Sequence, residues 1–327
     1  MSVVTIVALV GGLACLVAGA EFLVRGAAGI AGRLGIAPVI VGLTVVAFGT
    51  SAPELAVSVS ASTSGSADVA LGNVVGSNIG NILLILGAAA LVGALAVDQR
   101  IVRIDIPVLL VASVGVLVLS LDNEIGRVDG LVLFGGIVAY VAWLVRSATR
   151  ERPEVLEEYD EAIEVLDGGD AERPLLVQIG LVAIGLAVLV GGSQLLVNSA
   201  TDIAEDLGVS DLVIGLTVVA IGTSLPELAT SVLAAIRGQR DIAVGNVVGS
   251  NLFNLLCVLG LTGIISSDGI PVANASLQLD LPVMLAATAA LLPVVRRGFR
   301  IERWEGVIFI ALYVAYVGYL VVDAAAG

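Results

Sequence analysis

Ten apolar stretches run through this chain from end to end, most near or above the ~20 residues that a helix needs to cross a bilayer. They fall at about 3–24, 36–62, 69–97, 104–121, 128–145, 175–197, 209–236, 242–265, 277–295 and 304–322. Ten such runs predict an all-α polytopic membrane protein with ten transmembrane helices. Composition agrees: 58% of the 327 residues are hydrophobic, 13% are charged, and the mean hydropathy is +1.08, whereas a soluble domain carries about 25% charged residues. The first stretch, "SVVTIVALVGGLACLVAGA", lacks a basic leader and outruns a signal core, so it reads as a retained span.

The connectors sort by charge. All fifteen basic residues are arginine, and fourteen of them sit at connectors of one face, with Arg127 alone on the other. Positive charge marks the cytoplasmic side, so this arginine-rich face is expected in the cytoplasm of a cell-membrane protein, with both termini outside. The loop 147–174 carries ten acidic residues and reads as a solvated cytoplasmic linker; it lacks the spacing of an EF-hand.

The chain then repeats itself. "GLTVVAFGTSAPELAVSV" (42–59) returns as "GLTVVAIGTSLPELATSV" (215–232), and "LGNVVGSNIGN" (71–81) as "VGNVVGSNLFN" (244–254), at a constant offset of 173 residues. Each half, 1–146 and 175–327, holds five spans. An odd number turns the second copy over, so the two halves form an inverted repeat, the architecture of secondary transporters with interrupted helices and a site near the midplane. The repeated motifs cover 42–87 and 215–260.

Inside the first motif of each half, a proline stands beside a glutamate. Pro53 and Pro226 lack an N–H and are expected to free the carbonyls of Gly49 and Gly222. A carboxylate at membrane depth costs at least ~2.5–3.5 kcal/mol, so Glu54 and Glu227 are functional candidates, with Thr50 and Ser51, and Thr223 and Ser224, in the same broken turns. The next span adds a polar stripe every four residues, Asn73, Ser77 and Asn81, repeated as Asn246, Ser250 and Asn254. These either contact an ion or bond helix to helix. Gly72 and Gly76 form a small-xxx-small pair expected to bring helices close.

Histidine is absent, and Cys15 and Cys257 lie apart in apolar runs, leaving oxygen donors for hard cations. The charge of −2 on the glutamate pair is balanced by one Ca²⁺ or by two monovalent ions, which suits an exchanger.

"GTSAPEL…GNVVGSNIGN" and "GTSLPEL…GNVVGSNLFN" strongly resemble the paired alpha-repeats of the cation/calcium exchanger superfamily, closest to its prokaryotic sodium/calcium exchangers. The resemblance covers nearly the whole chain. It implies that Glu54 and Glu227 share a central calcium site with Thr50 and Thr223. It implies sodium sites around Ala47, Ser51, Ser77 and Asn81, with Ala220, Ser224, Ser250 and Asn254 in the other half; Ala47 and Ala220 would act through their carbonyls. It also implies that the first and sixth helices slide across the rest to switch access. Related exchangers often carry Asp at the position of Asn254, which removes a third charge here and weakens the case for potassium co-transport. Calcium/proton exchange is the alternative, though family members of that type usually carry a second acid where this chain has Ser and Asn. The expected partners are membrane lipid, Ca²⁺ and Na⁺. No cofactor, enzymatic activity or nucleic-acid partner is expected, and a monomer suffices because one chain holds both copies.

Overall fold

The computed structural model describes residues 3–64, 67–148, 174–206 and 220–326, so most of the acidic linker lies outside it. The helices are α1 (Val3–Leu34), α2 (Pro38–Thr50), α3 (Ala52–Thr63), α4 (Val69–Val92), α5 (Ile101–Leu119) and α6 (Arg127–Ala148) in the first half. The second half holds α7 (Leu175–Asp206), α8 (Leu225–Ile236), α9 (Arg240–Ile265), α10 (Ser276–Arg296) and α11 (Arg303–Ala326). Among the described residues, eight helices are long and apolar enough to span, and α2 with α3 forms a ninth span bent by 40°. Of the expected span at 209–236, residues 209–219 lie outside the described residues and α8 is its second part.

Helices α1 and α7 outrun the apolar stretches that announced them. Each has 32 residues and is therefore about 48 Å long, against ~30 Å of hydrocarbon, so each tilts or reaches past the bilayer core. They lie against each other in the largest helix–helix contact of the molecule. Glycines make it possible: a Cβ on Gly19 would stand 2.9 Å from the Gly185 carbonyl, and one on Gly185 2.8 Å from the Gly19 carbonyl. Gly12 and Gly192 repeat this reciprocal contact at 2.9 and 3.0 Å. Two backbones that touch with such symmetry are related by the two-fold of the inverted repeat.

The centre belongs to α4 and α9, the most buried spans. Each packs on a helix of the opposite half, α4 on α11 and α9 on α6. The halves are thus interleaved rather than side by side. Two short antiparallel ribbons complete the link: β1 (Leu95–Ala96) pairs with β4 (Arg300–Ile301), and β2 (Glu124–Ile125) with β3 (Ile270–Pro271). Each ribbon joins a connector of one half to a connector of the other, one at each face.

Among the described residues, five stretches widen into π-helix. Two of them, Asn81–Ile85 in α4 and Phe253–Val258 in α9, begin at or beside Asn81 and Asn254 and occupy matching places in the two halves. Two more, Ile101–Asp105 and Ser276–Asp280, open α5 and α10. Single π turns inside α-helices gather at functional sites.

Candidate functional site

The chain breaks where the prolines predict. Ser51 (φ −81°, ψ 3°) separates α2 from α3, and Ser224 (φ −90°, ψ 8°) separates the short turn Ala220–Gly222 from α8. Each proline then occupies the first turn of the following helix, where an amide would have no partner in any case. Glu54 and Glu227 sit in those same first turns, where the helix N-terminus favours a negative side chain.

The two breaks meet, and they meet crosswise. Ser51 Oγ donates to Glu227 Oε1 at 3.5 Å, and Ser224 Oγ donates to Glu54 Oε1 at 3.2 Å while lying 3.3 Å from Ser77 Oγ. Each carboxylate is held by the other half's serine. Thr50 Oγ1 lies 3.2 Å from Asn246 Oδ1, 3.3 Å from Ser250 Oγ and 3.4 Å from the Ala47 carbonyl, which also accepts the Ser51 N–H at 3.0 Å. Ala220 is the first described residue of its broken span.

Both glutamates are fully buried, and no arginine pairs with either among the described residues. Among the described residues, the second oxygen of each, Oε2, has no hydrogen-bond partner, and neither do Thr223 Oγ1, Asn81 Oδ1 or either amide atom of Asn254. Buried polar atoms are satisfied in more than about 90% of cases, so an unpaired oxygen on each of two buried carboxylates, with others on the broken turn and the polar stripe, marks a place where something else can bind. The donors are all oxygens or amides, the set that suits a hard cation.

Asn73 and Asn246 act as braces. Each donates its amide to a serine one helix away, Ser58 and Ser231, at 3.0 Å in both halves, and Asn73 also donates to the Glu54 carbonyl at 3.1 Å. The freed carbonyl expected at Gly222 is there, and the close packing expected of Gly72 and Gly76 is not. The Gly222 carbonyl, freed by Pro226, is taken by Ser193 Oγ of α7 at 2.7 Å, because α7 crosses the break closely enough to cap it. Gly72 and Gly76 bring no helix close: a Cβ on either would meet nothing within 4 Å, and both line a cavity. Their repeats do pack, with a Cβ on Gly245 falling 2.9 Å from the Val39 carbonyl and one on Gly249 falling 2.8 Å from Leu43 Cα.

A cavity of about 400 Å³ runs from the arginine-poor face between α3, α4, α10 and α11 down to Ser77 and Thr223. On the opposite side, Thr50, the counterpart of Thr223, has hydrogen-bond partners in Asn246 and Ser250.

Three features escaped the sequence reading. Asn251 accepts from Asn81 Nδ2 at 3.0 Å and donates to the Asn78 carbonyl at 3.3 Å, joining α9 to α4. Asp105 accepts from Tyr140 at 2.9 Å, and Asp280 from Tyr316 at 2.8 Å. The acids do carry a signal, since "IDIPV" (104–108) and "LDLPV" (279–283) repeat at an offset of 175.

Comparison with known proteins agrees with this geometry. Residues 4–146 and 177–322 match the family model of the sodium/calcium exchanger protein. CaxA of Alkalimonas amylolytica is 43% identical over 325 residues, 98% of both chains. The sodium/calcium exchanger MaX1 of Methanosarcina acetivorans is 35% identical over 97% of this chain and 98% of its own. The solved structure of the sodium-calcium exchanger NCX_Mj superposes with a TM-score of 0.82 at 30% identity, covering 97% of this chain and 99% of that one. The chain belongs to the sodium/calcium exchanger family and is a multi-pass membrane transporter, a cation/calcium antiporter.

Proposed function

We propose that this antiporter exchanges sodium for calcium by alternating access, with Glu54 and Glu227 as the shared carboxylates. The observation that carries the reading is the crossed pair: two buried glutamates, each held through one oxygen by the other half's serine and left with the second oxygen unpaired. Their joint charge is balanced by one Ca²⁺ or by monovalent ions in its place, and moving them unbalanced through hydrocarbon is costly. Thr50 and Thr223 complete the calcium set. Ser51, Ser77, Ser224, Ser250, Asn81 and Asn254, with the carbonyls of Ala47 and Ala220, hold sodium around it.

Sodium is favoured over the proton because serine and asparagine occupy the second motif where a proton carrier would place another acid, and because relatives along the whole chain carry the name of sodium/calcium exchanger. The arginine-rich face lies in the cytoplasm of a cell-membrane protein, with the termini outside and the loop 147–174 as a cytoplasmic linker between two five-helix halves. The cavity then opens outward. An inward sodium gradient drives calcium out, and one chain suffices because it supplies both halves of the site.

The test is calcium uptake into proteoliposomes loaded with sodium and diluted into sodium-free buffer, beside vesicles bearing only a pH gradient. Sodium-driven uptake, lost in Glu54→Gln and Glu227→Gln, is the expected result. Uptake driven by the pH gradient alone would replace sodium with the proton, and uptake that survives both substitutions would displace the glutamates from the site.

A further inference from the structure

Each half also holds an acid at the start of its fourth span, two residues before a proline. Asp105 and Asp280 end the π turns that open α5 and α10, two residues before Pro107 and Pro282, and each accepts from a tyrosine of the following helix. The pair is built twice, but its surroundings differ. Asp105 is fully buried, with the Arg100 guanidinium 3.9 Å away. Asp280 has no arginine partner among the described residues, and the position matching Arg100 is Ala275. Asp280 and Tyr316 instead line the 400 Å³ cavity that ends at Ser77 and Thr223.

A carboxylate serving only to brace α10 against α11 would fit equally well out of reach of water. This one stands on the wall of the passage to Glu54, whose serine and threonine neighbours share the same cavity. The rest of the wall is largely apolar: Val57, Val69, Val75 and Val317 among others. Low-dielectric walls around a single charge focus its field along the passage.

We propose that Asp280 is a cation-recruiting residue of the outer vestibule, a waiting place for hydrated Ca²⁺ before it reaches the glutamate pair. Tyr316 fixes one oxygen of a carboxylate that lines the cavity. The arginine beside Asp105 cancels the equivalent charge on the cytoplasmic side, so recruitment acts from the outer face alone. The inference rests on the exchanger reading above.

The experiment uses the full chain, reconstituted at less than one copy per vesicle, with outer-face-out vesicles captured through a C-terminal tag. Sodium-driven uptake is measured against external Ca²⁺ at low and high ionic strength. Asp280→Asn should raise the half-saturating Ca²⁺ by about threefold or more at low salt, with the maximal rate kept and the difference shrinking at high salt. Asp280→Glu and Tyr316→Phe, which keep the charge, should stay near the parent protein. Equal losses of maximal rate in Asp280→Asn and Tyr316→Phe, with half-saturation unmoved, would make the pair a brace and overturn the proposal. An Asp280→Asn curve identical to the parent's would overturn it too. Failure of the parent protein to exchange would instead refute the exchanger reading, so the two failures are separable.

Discussion

Arg237, at the end of α8, reaches across to the long helix α1. Its Nη2 lies 2.6 Å from Glu21 Oε1 and its Nε 3.0 Å from Oε2, a two-pronged ion pair. The repeat does not copy it, for the positions matching Glu21 and Arg237 are Gln194 and Ser64. If α1 moves against the core when access switches, this pair holds the present arrangement, with its cavity on the arginine-poor side, and the repeat supplies no matching pair among the described residues to hold the other. The side chains are 18% and 52% accessible, which places the pair among exposed ion pairs worth about 0.2–1 kcal/mol. Its bidentate geometry puts it toward the upper end. Arg237→Gln, which leaves the Glu21–Arg25 pair on α1 in place, should therefore raise the inward-open fraction by about two- to fivefold. Thr230 offers the readout. It is fully buried, and the repeat matches it to Val57 of the outer cavity. In a chain with Cys15 and Cys257 replaced, Thr230→Cys should react with a thiol reagent added at the arginine-rich face at a rate proportional to that fraction. Arg237→Gln should speed labelling by the same two- to fivefold. An unchanged or slower rate would refute the reasoning, because a pair that holds one state cannot be removed without favouring the other.

A methyl at Gly185 would stand 2.6 Å from Leu23 N and 2.8 Å from the Gly19 carbonyl, so Gly185→Ala should strain the α1–α7 seam by about 1–3 kcal/mol. Exchange should slow at least about fivefold while equilibrium calcium binding in detergent is retained, and parent-like turnover would argue that the seam does not move. Asn254 and Asn251 should separate cleanly, since the Asn254 side chain has no hydrogen-bond partner among the described residues whereas Asn251 bonds both Asn81 and Asn78. Asn254→Ala should abolish most sodium-driven exchange with little change in thermal stability, and Asn251→Ala should cost about 1–3 kcal/mol of stability; scanning fluorimetry beside flux reads both.

The spans, the inverted repeat and the glutamates were legible because hydrophobic length and exact internal copying are local signals. What stayed hidden was tertiary. The sequence places Ser51 three residues from Glu54 and invites that pairing, yet Ser51 serves Glu227, a choice made only when the two breaks are brought together. A stripe read at every fourth residue collects Asn73, Ser77 and Asn81 but passes over Asn78, which lies about 100° around the helix, and its repeat Asn251, which holds the α4–α9 contact. The π turns at Asn81–Ile85 and Phe253–Val258 leave no hydrophobic signature at all. Pro226 frees a carbonyl in any helix, but that Ser193 would take it depends on how closely α7 crosses.

The crossed serines bear on what a half of this protein is. Neither half contains a finished site: residues 1–146 have Glu54 without the hydroxyl of Ser224, and residues 175–327 have Glu227 without that of Ser51. Yet the two halves meet through surfaces of their own, α1 on α7, α4 on α11, α9 on α6 and a ribbon at each face. Two separately encoded fragments cut within the loop 147–174 would carry these surfaces between them, and each would be silent until it met the other.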